Sequence, residues 1–144
     1  MRNLLTFLIC MLPTTHAFAE VTAKNAWVRA TVPAQKTTAA YVTIHSTDYA
    51  RIVEVKTPAA GHAEIHESKM TGGVMRMEAM DDFLLLPGTS VELKPGSYHL
   101  MLMELPKPLV AGTRVPITFV VEEGKGKTRR YSVEVSAEVR PLGK

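Results

Sequence analysis

The stretch His62-Ala-Glu-Ile-His-Glu-Ser-Lys-Met-Thr-Gly-Gly-Val-Met-Arg-Met-Glu-Ala-Met80 decides the fold. Thr71-Gly72-Gly73 reads as a hairpin turn, because paired glycines supply the positive φ that such turns demand. His62 to Glu67 reads as the strand that enters it, after Pro58 and Gly61, and Val74 to Met80 as the strand that returns. The two are therefore antiparallel neighbours. Side chains alternate across a strand, so His62, Glu64 and His66 share one face, and Met75 and Met77 share one on the return strand.

Working outward, the same pattern recurs. Ala26 to Ala30, Ala40 to His45 and Arg51 to Val55 alternate between apolar and polar residues, with Gly, Pro or Ser-Thr-Asp punctuation between them. Downstream, Phe83 to Leu86 ends at Pro87-Gly88, and Ser90 to Leu93 ends at Pro95-Gly96. Tyr98 to Leu105 is the most apolar strand, and Val115 to Val121 with Tyr131 to Val135 forms a closing hairpin around Gly124 and Gly126. Helical periodicity is scarce: only Val32 to Tyr41 comes near it, and that segment opens on a proline. The expectation is an all-β barrel or sandwich of about eight or nine short strands. No repeat, low-complexity segment or second domain is visible.

The first residues are expected to lie outside this fold. Met1-Arg2-Asn3 is a short basic start, Leu4 to Leu12 is apolar, and Ala17-Phe18-Ala19 matches an A-x-A cleavage pattern before Glu20. The apolar run is about half of the roughly 20 residues that a spanning helix needs. Residues 1–19 thus read as a cleaved signal peptide and 20–144 as one exported domain with no membrane span. Cys10 lies in the apolar run, but Ile9 precedes it where a lipoprotein signal would carry a small residue. It is the only cysteine of the chain, so the exported domain is expected to have no disulfide and no thiolate ligand. That excludes blue-copper electron transfer, thiolate zinc sites and CxxC redox chemistry. The formal charge of +3 is mild, and the cluster Lys125, Lys127, Arg129 and Arg130 reads as a solvated hairpin end. Neither argues for nucleic acid.

What remains is a concentration of soft donors. Every methionine outside the first eleven residues falls between His66 and Met103: Met70, Met75, Met77, Met80, Met101 and Met103. Within that window the spacing is His66, ten residues, Met77, twenty-one residues, His99, one residue, Met101. His99 and Met101 share a strand face, so one strand presents an imidazole beside a thioether. Two imidazoles and two thioethers form a neutral, soft set of the kind that selects Cu(I), whereas zinc favours cysteine, histidine or carboxylate. Thioethers do not form disulfides in an oxidising compartment, although they can become sulfoxides. Such a site suits carriage better than storage or catalysis.

Competing readings give different expectations. Methionine is an adaptable core filler, and a non-metal structural or protein-interaction β-sandwich with a Met-rich face would bury the methionines and point the imidazoles apart. A copper enzyme would need an open coordination position beside a substrate pocket. No Ser-His-Asp order, phosphate loop or paired catalytic carboxylate is present. His62 is expected to be a surface histidine, with an auxiliary ligand role as the alternative; Met75, Met80 and Met103 are candidates for the apolar shell of a metal site or for core packing, His45 is expected to be structural, and Trp27 and Tyr41 to be core or rim aromatics. Glu64 and Glu67, poor donors for Cu(I), are expected in solvent.

These residues resemble the periplasmic copper(I) chaperone family written PCuAC, whose pattern H-x10-M-x21-H-x-M the chain matches without a gap. Surrounding text fits as well: Ala26 to Ala30, Ala39 to Ile44, Gly72 to Met77 and Val91 to Leu105. The resemblance implies a cupredoxin-like Greek-key β-barrel with His66, Met77, His99 and Met101 binding Cu(I) near the surface. It also implies periplasmic delivery of copper, commonly toward the copper centre of a cytochrome c oxidase or through another assembly chaperone. Two departures stand out. Ser68 occupies the place where relatives often carry a Met soon after the first His, and the Arg140-Pro-Leu-Gly-Lys144 end lacks the His- and Met-rich tail that adds a Cu(II) site in some relatives.

Overall fold

The structure, a computed structural model, describes residues 20–124 and 129–143. The expected leader and its expected cleavage after Ala19, Cys10, and residues 125–128, expected to be part of a solvated hairpin end, lie outside the described residues. Ten strands follow one another: β1 Val21–Arg29, β2 Thr37–Ser46, β3 Ala50–Lys56, β4 His62–Thr71 and β5 Val74–Met80, then β6 Phe83–Leu85, β7 Thr89–Leu93, β8 Tyr98–Met103, β9 Arg114–Glu123 and β10 Arg129–Arg140. No helix occurs among the described residues.

The all-β expectation holds, with ten strands rather than eight or nine. Each of the ten segments read from the sequence corresponds to one strand, Phe83 to Leu86 and Ser90 to Leu93 included: β6 pairs with β3, while β7 pairs with β2. Strand ends also move. Because Gly72 and Gly73 both adopt positive φ, 58° and 78°, the turn is only two residues long and β4 continues to Thr71 instead of stopping at Glu67. The start of β1 was hidden by a bulge. Its pairing with β2 shifts between Lys24 and Trp27, and Asn25 takes φ 56° there. The parity of buried residues flips across that point, from Val21 to Ala26 and Val28, so simple alternation fails before Ala26.

The sheet order is β5-β4-β8-β2-β1-β10-β9-β3-β6, with β7 also on β2. Strand β2 turns the corner: its first half, Thr37 to Ala40, pairs with β8, and its second half, Val42 to Ser46, pairs with β7. The remaining joins are antiparallel except β1 against β10, which is parallel. Inside this barrel-like wrap sit Phe119, Ile44, Leu85, Leu93, Leu100, Leu102, Leu105 and Ile117, all essentially inaccessible.

Two consequences position the site. Strand β8 is an interior strand, flanked by β4 and β2, and Leu100 and Leu102 fix its inner face in the core. Strand β5 is an edge that pairs only with β4 and is exposed over all but its last residue.

Removing a core ring should therefore cost far more than removing an outer leucine. Phe119→Ala is expected to destabilise the fold by about 3–5 kcal/mol. Leu84→Ala, at an exposed position of β6, should stay within about 0.5 kcal/mol of wild type. Urea unfolding of the two variants checks this, and equal losses would contradict the assignment of the core.

Candidate metal centre

The pairing of β4 with β8 sets His66 directly opposite His99, Glu64 opposite Met101, and His62 opposite Met103. Directly opposed residues point to the same face of a sheet. Since Leu100, Leu102 and Ile65 fill the core, these six side chains occupy the outer face. On the other flank of β4, Ala79 opposes His66 and Met77 opposes Ser68. Met77 thus belongs to the same face as His66, His99 and Met101, one pleat away from His66 along the sheet. All four sequence-predicted residues share that face, spread over three adjacent strands.

At its centre the two imidazoles meet, with ring centroids 5.8 Å apart and planes inclined at 52°. His99 is only 5 % exposed, and the His66 side chain only 16 %. Each ring has one nitrogen held and one left over. His99 Nδ1 lies 3.2 Å from the Ser97 carbonyl oxygen. A carbonyl only accepts, so Nδ1 carries the proton there. His66 Nε2 lies 2.8 Å from Glu64 Oε2, and His62 Nε2 lies 2.6 Å from Glu64 Oε1. The other two nitrogens, His66 Nδ1 and His99 Nε2, are buried without a partner. An unpaired buried polar atom costs about 1–3 kcal/mol, and here two such atoms sit on neighbouring rings. In the neutral rings they carry the lone pairs that a metal ion would take.

Two thioether residues share the face of this nitrogen pair. Met101 is half-buried two residues from His99, whereas Met77, on the edge strand, is 59 % exposed. Among the described residues no three His, Cys, Asp or Glu side chains form a group that could hold a metal ion. The further protein donors that share this face with the two rings are thioethers, which favour a soft ion over a hard one.

The surrounding residues divide as follows. Glu64 corrects the expectation of a purely solvated side chain: it bridges two histidines, because alternation puts it between them on one face. The hydrogen bond from His66, then that from His62, holds its carboxyl below the ordinary 4.5. The i, i+2 rule places Glu64 between the two histidines, whereas its poor affinity for Cu(I) gives no hint of that role. Glu67 is a surface residue paired with Lys69 at 3.0 Å. His62 is exposed, as expected. His45 lies on the other half of β2 with Nδ1 3.0 Å from Ser90 Oγ. Trp27 stacks on Tyr41 at 4.5 Å, a rim contact. Met70 and Met75 are exposed with Met77, Met103 is half-buried, and Met80 packs against the core. The competing sandwich required buried methionines and diverging imidazoles; neither is found.

The ten-stranded wrap defines the class first: it is the cupredoxin-like fold of PCuAC domains. It matches a copper-bound PCuAC domain from PmoF2 with a TM-score of 0.67 at 19% identity, covering 88% of this chain and 97% of that one. It also matches CuI-DR1885 from Deinococcus radiodurans with a TM-score of 0.61 at 26% identity, over 92% of this chain and 82% of that one. The chain belongs to the LpqE-like family, described as "Putative lipoprotein LpqE-like", whose model matches residues 21–137. A relative, "Putative lipoprotein Lxx21020" of Leifsonia xyli subsp. xyli, is 33% identical over 107 residues, 72% of this chain and 63% of its own length. The chain spans about three-fifths of the length of such relatives.

The Glu64 bridge has a pH signature. With the folded pKa depressed, ionised Glu64 favours the native state above the ordinary value of 4.5, and that contribution is lost as pH falls through the depressed folded value. Glu64→Ala is expected to melt below wild type near neutrality by a modest margin, since solvent screens a partly exposed pair. Thermal melts on acidification should show the two curves converging below 4.5; a gap that widens in acid would contradict the bridge.

Proposed function

We propose that the chain is a non-enzymatic carrier of Cu(I), with the ion as cargo held by His66, Met77, His99 and Met101. The observation that carries this reading is the pair of buried, unpartnered imidazole nitrogens beside Met101 on a face that also includes Met77. All four donors are neutral, so the site has no charge with which to hold a hard divalent ion against water. Thioether and imidazole bind Cu(I) through soft, polarisable bonds that exchange one ligand at a time.

The donors are held unequally, and that asymmetry suits delivery. His99 and Met101 sit on an interior strand fixed by Leu100 and Leu102, while Met77 rides on an exposed edge. In this reading the β8 pair anchors the ion and Met77 is the ligand that yields first to a donor of the receiving protein. The match to CuI-DR1885, whose name carries the copper ion, supports copper as the cargo.

The leader at residues 1–19, with cleavage after Ala19, and the lipoprotein description of the family support export, and we place the carrier in the periplasm as a single domain over residues 20–144. Among the described residues no helix is long and apolar enough to cross a membrane. The receiving partner is a protein with an empty copper site, such as a cytochrome c oxidase subunit or an assembly chaperone that serves it.

Titration with Cu(I) against a competing chelator tests the assignment. His99→Ala and Met101→Ala should each weaken binding by at least the roughly 10–100-fold that loss of an outer-shell partner causes. Met77→Ala should chiefly accelerate transfer to the chelator. Unchanged affinity in both β8 variants would reject the site.

A further inference from the structure

Glu64 contributes more than a surface ion pair. It stands on β4 two residues from each of His62 and His66, and its two oxygens are divided between them: Oε1 faces His62 Nε2 at 2.6 Å and Oε2 faces His66 Nε2 at 2.8 Å. An ionised carboxylate can only accept, so both Nε2 atoms must donate. A neutral His66 with its proton on Nε2 has its lone pair on Nδ1, and Nδ1 is the nitrogen that is buried and unpartnered. His99 reaches the opposite tautomer by the same logic, because the Ser97 carbonyl takes its Nδ1 proton and frees Nε2. Each ring could present either nitrogen to an ion; each is committed to one.

We infer that Glu64 is a positioning residue for the copper site, holding the His66 proton on Nε2 so that Nδ1 is the donor atom. The inference rests on the carrier reading above and adds how one of its ligands is prepared. The carboxylate acts through the ring: it sets the tautomer, restrains the ring plane against His99, and raises the basicity of the free nitrogen. It also keeps its own charge at the far edge of the ring, where each of its two oxygens accepts one ring N–H. His62 completes the clamp by occupying the second oxygen, so Glu64 is steadied from both sides while His62 itself, largely in solvent, need not touch the ion.

The opposite arrangement is a latch, in which copper binds His66 through Nε2 and must first displace the carboxylate. The two make opposite predictions for loss of the acid. Long-range proton–nitrogen NMR of labelled, metal-free protein reads the tautomer of each ring directly. Wild type should show His66 protonated at Nε2 and His99 at Nδ1. In Glu64→Ala, His66 should become a mixture of tautomers while His99 is unchanged, and Cu(I) affinity by chelator competition should fall on the order of 10–100-fold. His45→Ala, on the other half of β2 where its ring faces Ser90, should retain the wild-type tautomers of His66 and His99 and bind within a few-fold of wild type.

A wild-type His66 protonated at Nδ1, or a Glu64→Ala variant with unchanged tautomer and affinity, overturns the inference. Tighter Cu(I) binding in Glu64→Ala overturns it in favour of the latch. The wild-type spectrum needs no variant and no metal, so the two readings fail separately. Wrong tautomers with intact Cu(I) uptake remove the role of Glu64 alone. Correct tautomers in a protein that takes up no Cu(I) remove the carrier reading, and with it any donor role for Nδ1.

Discussion

The antiparallel register between β4 and β8 is the constraint on which the site depends. Shifting that pairing by one residue would turn every second side chain to the other face of the sheet. His99 and Met101 would then enter the core, and Leu100 would be thrown onto the surface. The register is held by hydrophobic burial: Ile65 lies opposite Leu100, both are buried, and neither tolerates the outer face. A soft-donor cluster outside is thus enforced by an apolar seam inside. Residues buried in the core determine which side chains share the outer face.

The same arrangement separates a strand held on both sides from one held on a single side. Interior strand β8 is paired on both sides and closed by β2, whose long run serves β8 with one half and β7 with the other. Edge strand β5 has one partner and an exposed row of alternating Met, Arg and Glu side chains. Charged residues such as Arg76 and Glu78 on that edge discourage indiscriminate strand pairing, while Met75 and Met77 leave soft sulfur accessible. The proposed carriage needs both properties: donors fixed well enough to bind, and one loose enough to let go.

Much of this was legible in the residues. The glycine pair at 72 and 73 announced the hairpin, and alternation on the 98–103 strand put the imidazole and thioether of the HxM pair on one face. The long fixed gaps of the donor pattern marked a resemblance that the fold bears out. What alternation alone could not show is instructive. The bulge at Asn25 hid the first half of β1, because a residue with positive φ breaks period two. Glu64 was passed over because a carboxylate is a poor ligand for Cu(I), although the same alternation rule placed it between two histidines. Its value lies in the hydrogen bonds it accepts, and these depend on ring orientation, which residue spacing does not encode. The segment Phe83 to Leu86 was legible from its closing Pro87-Gly88, but which strand it would join was not, since its pairing with β3 is a long-range contact that local alternation does not encode.

The central claim is that sulfur and imidazole from three strands meet on one ion. X-ray absorption at the copper edge, on the full chain loaded with Cu(I), tests it most directly. The account predicts a mixed shell in which both sulfur and imidazole nitrogen scatter, with the sulfur component reduced in Met101→Ala and the imidazole component reduced in His99→Ala. A shell of nitrogen and oxygen alone, unaffected by either change, would contradict it.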